Sequence, residues 1–400
     1  MKILILIPTR NRSDLAQRAA LSALAQQGAG ASLQVVLSDN SDEPAEQQRL
    51  EAWARARAGA GYLRPPAPAN MGDHWDWAIG EVLARFQPTH LVILTDRMVF
   101  RPGAVAEVAA IAQRQPELPV TFLHDRVNDL VTPVALERSR WSGAVCQLAS
   151  AHLLGLTARC QFHSCVPRLL NAVTPVAVLA RVRAAYGDYC RAVSPDFGFA
   201  YRCLATHDGI VYYDKALMLH YAISRSNGAS ATRGVLSKDA VNFRRATLGG
   251  QDRLPHAPYP ELLTLGNFLI EEYGQAAAGL PARGLPAVDR QAYVKMLYRD
   301  IAATEDPATR AEMLERLARR GHGREIRARR LREGFKARTR WIEHGIKRLV
   351  RGEQRAPLPH IFGSVDEALA WDAGHPAPRL AAVGHLESLQ PRVLDAPPVA

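Results

Sequence analysis

Short apolar runs alternate with amphipathic stretches over the first 125 residues. Residues 2–7 (KILILI) and 33–38 (LQVVLS) are aliphatic runs that stop at Pro8 and at Asp39-Asn40-Ser41. Between them Leu15, Ala19, Leu21 and Leu24 recur at helical spacing behind Ser13, a residue suited to cap a helix start. The same spacing predicts helices over 44–58, 73–86 and 103–114. Strands are expected near 61–64, at 90–95 and at 119–124. Strands separated by helix-length segments imply βαβ units, hence an α/β domain with a mostly parallel sheet flanked by helices. In such a sheet, polar residues gather at the carboxyl ends of the strands.

From 144 to 207 the pattern turns helical, broken at Pro167, Pro175 and Pro195. Two short strands, 209–213 and 216–222, return before a polar loop that begins near Ser224. Beyond 235 the spacing predicts a helical extension. Three parts follow: an α/β domain over 1–235, a helical and basic extension over 236–355, and a tail over 356–400. The tail is rich in Pro and Ala and is expected to be partly disordered, apart from a short helix at 364–371.

Composition narrows the class. The chain has 400 residues, of which 48% are hydrophobic and 22% charged, enough for a sizeable core. No stretch approaches the roughly 18 uninterrupted apolar residues of a membrane span. The opening residues read as a first strand rather than a signal peptide, so a cytoplasmic protein is expected. Cys146, Cys160, Cys165, Cys190 and Cys203 form no CxxC pair and are read as small buried hydrophobes, not as a zinc site or a disulfide framework. The net charge of +11 is local: between Thr309 and Arg355 sixteen Lys or Arg face six Glu, which accounts for +10 of it. Within that run, 323–351 carries Trp341, Ile342, Ile346 and Leu349 at helical spacing opposite Arg and Lys. Such a helix suits an anionic membrane surface, which would make the protein peripheral on the inner face. Packing of the apolar stripe on its own domain is the competing reading. Nucleic-acid binding is not expected, because no recognition module accompanies the charge.

Four polar clusters fall where the strand order predicts a common edge: residues 8–12 (PTRNR), 38–43 (SDNSDE), 70–80 (NMGDHWDWAIG) and 95–98 (TDRM). A strand ending in Asp-Asn is commonly only a turn. Four clusters in this order, ahead of Ser194-Pro195-Asp196, are more specific. Over residues 2 to about 230 the chain resembles the family-2 inverting glycosyltransferases of the GT-A fold. The resemblance implies a Rossmann-like, nucleotide-diphospho-sugar transferase sheet. It implies that Pro8, Thr9, Arg10 and Arg12 cradle a nucleotide, and that Asp39, Asn40 and Ser41 meet its base or ribose. Asn70 and Gly72 stand at the family's asparagine-glycine turn, Asp96 in its Asp-x-Asp motif, and Asp196 at its acceptor-side acid. The implied partners are a nucleoside-diphosphate sugar and a glycan or lipid-linked acceptor, with a polysaccharide as the product.

Sugar transfer of this kind needs a carboxylate to take the proton of the attacking hydroxyl, and positive charge ready for the departing diphosphate. Asp196 is the candidate base. Ser194 at the cap, Pro195 at the first helical position and Asp196 in the first turn also make an ordinary helix start, whose dipole would lower the carboxyl pKa. The resemblance places the family's metal-binding acid at Arg97, with Thr95 in place of the first acid. One carboxylate beside an arginine makes a poor Mg2+ or Mn2+ site. The expectation is therefore that Arg97 neutralises the leaving group, with Asp96 holding its fork or binding the ribose. Metal stays open through Asp96 with His220 as a further ligand. A catalytically inactive nucleotide-sugar-binding or scaffolding protein is the alternative. Three smaller expectations complete the list. One of Trp75 and Trp77 packs in the core while the other lines the donor pocket. His124, Asp125 and Arg126 end a strand and contact sugar hydroxyls, with an ordinary turn as the competing reading. The loop at Arg225, Ser226, Asn227 and Gly228 acts as a lid.

Overall fold

The structure is a computed structural model; it describes residues 1–226, 248, 253–329 and 360–395. The first strand, β1 (Lys2–Thr9), shows how the core forms. Its side chains alternate at the period of a strand, sending Ile3, Ile5 and Ile7 into one apolar cluster and Leu4 and Leu6 into another on the opposite face. Both faces are covered, so the strand reads as one unbroken aliphatic run. Helices α1 (Ser13–Leu24), α2 (Pro44–Arg55) and α4 (Ala104–Arg114) contribute to the first cluster. Helices α3 (Met71–Phe86), α6 (Val176–Tyr186) and α7 (Pro195–Thr206) contribute to the second.

Strand β1 pairs in parallel with β2 (Ser32–Asp39) and β4 (His90–Ile93), and β2 with β3 (Ala60–Leu63). The register sets Thr9 opposite Asp39, which brings the ends of the first two strands side by side. Beyond β4 the sheet continues through β9 (Ala172–Pro175) to β6 (Val120–Asn128), β10 (Gly209–His220), β8 (Val145–Ala149) and β12 (Arg392–Asp395). Along this path only β9 and β8 run against the rest, giving the expected mixed, mostly parallel sheet between helices.

Several boundaries differ from the sequence expectations. The 144–207 region is not purely helical: β8 and β9 lie within it beside α5 (Ser150–Ala158). The two strands expected over 209–222 are one strand, β10, with register shifts where it passes Tyr213, Ala216 and Met218 along β6. A bulge lets a long strand bend without turning back. Two more short strands, β5 (Met98–Phe100) and β7 (Val134–Glu137), pair with β10 and β6.

The extension packs α8 (Leu265–Gly279) against α7, and α9 (Arg290–Ala303) and α10 (Pro307–Leu317) follow. Within the tail, expected to be partly disordered around a helix at 364–371, residues 360–395 carry two short strands and a helix over Val365–Gly374. Strand β11 (His360–Phe362) pairs with β7, β12 extends the sheet, and α11 (Val365–Gly374) packs beside them. The physical reason is a buried ion cluster. Asp372 receives Arg101 through Nε at 2.7 Å and Nη2 at 2.8 Å, and Arg138 binds the same carboxylate. Among the described residues no helix is long and apolar enough to cross a membrane. Residues 330–351, most of the expected basic helix, and Asn227 and Gly228 of the expected lid lie outside the described residues.

Candidate active site

The carboxyl ends of β1, β2 and β4 bring the first clusters together. Thr9, buried at the end of β1, donates its hydroxyl to Asp96 Oδ2 at 2.9 Å, and its carbonyl accepts the Asn40 N–H at 2.9 Å. Asp39 is fully buried and accepts from Tyr62 O–H and from Ser41 N–H, both at 2.9 Å. Asp39, Thr9 and Asp96 thus form one contiguous acidic edge.

Other residues of the clusters hold loops to one another. Asn40 exchanges two hydrogen bonds with the backbone of Ala69, Nδ2–H to its carbonyl at 2.8 Å and N–H to Oδ1 at 2.9 Å. Ser41 Oγ accepts the N–H of Asn11, a residue at φ 52°. Arg10 is exposed and paired with Asp42 at 2.9 Å, which holds the Asp42 carboxyl below its usual range after the larger effect of Asn11. Pro8 is buried in β1. Asn70 caps α3 by accepting the Asp73 N–H at 2.9 Å. Gly72 permits close packing, since a β-carbon there would lie 2.6 Å from the Ala192 carbonyl oxygen. Asn40, Ser41, Asn70 and Gly72 build the rim of the edge.

After Leu94 the chain turns, with Met98 N–H bonded to the Thr95 carbonyl at 3.0 Å, and runs back as β5 beside the end of β10. This turn carries Asp96 and Arg97. The Arg97 carbonyl accepts the Tyr221 N–H, while its Nη1 donates to His220 Nε2 at 2.8 Å and its Nε lies 4.0 Å from Asp96 Oδ1. Burial and neighbouring Arg97 push His220 well below its ordinary pKa, so the neutral ring accepts from the guanidinium. Arg12 approaches Asp96 to 3.9 Å from the other side and donates to the Arg225 carbonyl. Asp96 and His220 are the two residues that could share a metal, and Arg97 bridges them. Asp96 already has a hydroxyl donor and two guanidinium groups within 4.0 Å. This set does not fit Mg2+ or Mn2+, which need several free oxygen ligands. Among the described residues no three His, Cys, Asp or Glu side chains are grouped to hold a metal.

Asp196, in the first turn of α7, lies within the electrostatic reach of Arg168 and Arg97. Burial raises its pKa above the ordinary carboxylate value, with Arg168, two backbone N–H groups and Arg97 opposing the rise. The lowering expected from the helix start is therefore outweighed by desolvation. A carboxylate shifted upward is the stronger base. Arg168 escaped the sequence reading altogether. Its guanidinium stacks over the Phe197 ring at 5.1 Å, burial pulls its pKa down against the pull of Asp196, and its Nε meets no acceptor among the described residues. His124 packs edge-on against His220 at 5.9 Å, and burial, then Arg168 and Arg126, bring it down to about 3. Arg97, His220, His124, Arg168 and Asp196 thereby form a continuous chain of interactions across the edge.

Residues 124–126 lie within β6, not at a turn, and divide their labour. His124 joins the site, Asp125 is buried in an ion pair with Arg101 at 2.7 Å, and Arg126 pairs with Glu137. Trp75 belongs to the core, while Trp77 packs at that cluster's rim and stacks on His74 with centroids 6.3 Å apart. A cavity of about 700 Å³ adjoins the site, touching Asn70, Asp73, Arg191, Ala192 and, from the extension, His256 and Gln275. A second, of about 240 Å³, touches His163, Cys165, Asp214 and His385.

No protein-family model and no curated protein matches the chain. Solved structures of S. aureus TarS are similar to it. The 1–349 fragment in complex with UDP-GlcNAc has 13% identity and a TM-score of 0.43, covering 76% of this chain and 82% of that one. The fragment with UDP gives 13%, 0.42, 76% and 81%, and a longer TarS chain gives 13%, 0.42, 80% and 53%.

Proposed function

We propose that the protein is an inverting glycosyltransferase of the GT-A type. It moves a sugar from a nucleoside diphosphate to a hydroxyl of a glycan or lipid-linked acceptor. The observation that carries this reading is the convergence of Thr9, Asp39, Asp96 and Arg97 at one sheet edge, with the Asp196 carboxyl in the electrostatic field of Arg97 and Arg168. The acceptor oxygen attacks the anomeric carbon as the bond from that carbon to the phosphate oxygen breaks, which inverts the centre. Asp196 takes the hydroxyl proton, and the bonding pair leaves on the diphosphate. Arg97 and Arg12 are cations already in place when that charge develops, and such groups stabilise a transition state without reorganising. Arg97 thus takes the part that a divalent ion would otherwise play. A membrane-peripheral protein working on a cell-surface polysaccharide is the setting that the basic segment suggests.

The test is nucleoside diphosphate release from UDP-, GDP-, ADP- and dTDP-hexoses, with and without millimolar EDTA. Release from at least one donor, insensitive to EDTA and lowered by about 10²-fold or more in Asp196→Asn, is expected. Loss of turnover in EDTA with recovery in Mn2+ contradicts the part given to Arg97. Binding without any release from every donor favours the non-catalytic reading.

A further inference from the structure

Glu272 belongs to α8 in the extension, yet its carboxyl ends against the start of α7. Its Oε1 accepts the backbone N–H of Ser194 at 2.6 Å, two residues before Asp196. The Ser194 side chain makes no cap of its own, so this carboxyl takes over one of the helix start's free donors. Glu272 is 1% exposed, and its Oε2 meets no partner among the described residues. That oxygen presses on the helix so closely that a β-carbon on Gly198 would lie 3.1 Å from it. A buried acid with a bare oxygen is a poor way to fill space, because desolvation of an unpaired polar atom is costly.

We propose that Glu272 is a positioning residue for Asp196: by gripping the Ser194 N–H it fixes the first turn of α7 and so the direction of the Asp196 carboxylate. The inference rests on the reading of Asp196 as the base. It also gives the extension a share in the site, since the grip reaches the transferase domain from outside it. The charged and titratable groups facing Glu272 are Asp196, Tyr201 and Arg202 on α7 and Glu271 on its own helix. Burial raises its pKa to about 8; Glu271 and Asp196 add to the rise, and the Ser194 N–H and Arg202 oppose it. At neutral pH Glu272 keeps its proton. As pH climbs through about 8 the carboxyl ionises and becomes a stronger acceptor for the Ser194 N–H, so the grip holds on both sides of that pH.

Glu272→Gln keeps a carbonyl oxygen for the Ser194 N–H and removes the titration; Glu272→Ala removes both. In the full chain, Glu272→Ala is expected to lower kcat for donor turnover at least tenfold with little change in donor KM. It should also speed hydrogen exchange at the amides of 194–198. Glu272→Gln is expected to restore both. Native kcat and native exchange in Glu272→Ala overturn the proposal. So does a Glu272→Gln protein as impaired as the alanine variant. If the native chain turns over no donor, the transferase reading fails, and exchange at 194–198 alone decides whether the grip exists.

Discussion

At the scale of single residues, the guanidinium of Arg97 is held from two sides by groups of different character. His220 accepts from Nη1 at 2.8 Å as a neutral ring, and Asp96 lies 4.0 Å from Nε as a charge. Burial pulls the Arg97 pKa down from its ordinary value, with Asp96 opposing, but an arginine has far to fall before it loses its proton. What burial does achieve is a strong field, since a cation in a poorly screened site acts over a longer distance than one in water. Arg97→Ala is expected to lower donor turnover by about 10²–10³-fold, the usual loss when a group that meets developing charge is removed. Arg97→Lys should recover only part of that, because an ammonium keeps the charge but cannot bridge Asp96 and His220 with a planar fork. Steady-state kinetics of the two variants with the best donor would check both expectations.

At the scale of elements, the tail helix α11 matters more for Asp372 than for its apolar face. Its carboxylate lies between Arg101 and Arg138, whose side chains are 16% and 9% exposed. Asp372→Ala would leave two enclosed cations short of their counter-ion, although Arg101 keeps Asp125. Breaking one side of a buried pair costs about 3–5 kcal/mol, so urea unfolding of Asp372→Ala should show a lower midpoint with a loss of that order. Nothing in the periodicity of residues 364–371 could have announced this, because the ion cluster joins positions more than 230 residues apart. The same limit explains other differences. The aliphatic runs of β1, β2 and β4 and the amphipathic helices after them carry their fold in local spacing, and so the acidic edge was legible. Strand β8 has five residues and runs straight into α5, and β9 has four; such runs cannot be told from helix by period alone. Arg168 and Glu272 were invisible for a related reason. Each lies in a stretch with no motif of its own, and gains its meaning only where the fold sets it beside α7.

At the scale of the whole molecule, the α/β sheet, the extension and the tail are interlocked. The extension reaches the start of α7 through Glu272, and the tail supplies β11 and β12 to the sheet. A chain ending at residue 359 would expose the free edges of β7 and β8, and uncovered strand edges pair with other chains. Such a truncation is expected to elute as aggregate in size-exclusion chromatography, whereas the full chain elutes as a discrete species.

The pairing of Arg392 with Gln147 and of Val393 with Cys146 also bears on how the protein is made. Contacts this distant along the chain form late, and domains otherwise assemble as they emerge during synthesis. Strand β8 must therefore wait, one edge bare, until residues 392–395 have been made, and a ribosome that stalls or terminates before them would release a nascent chain with that edge still unguarded.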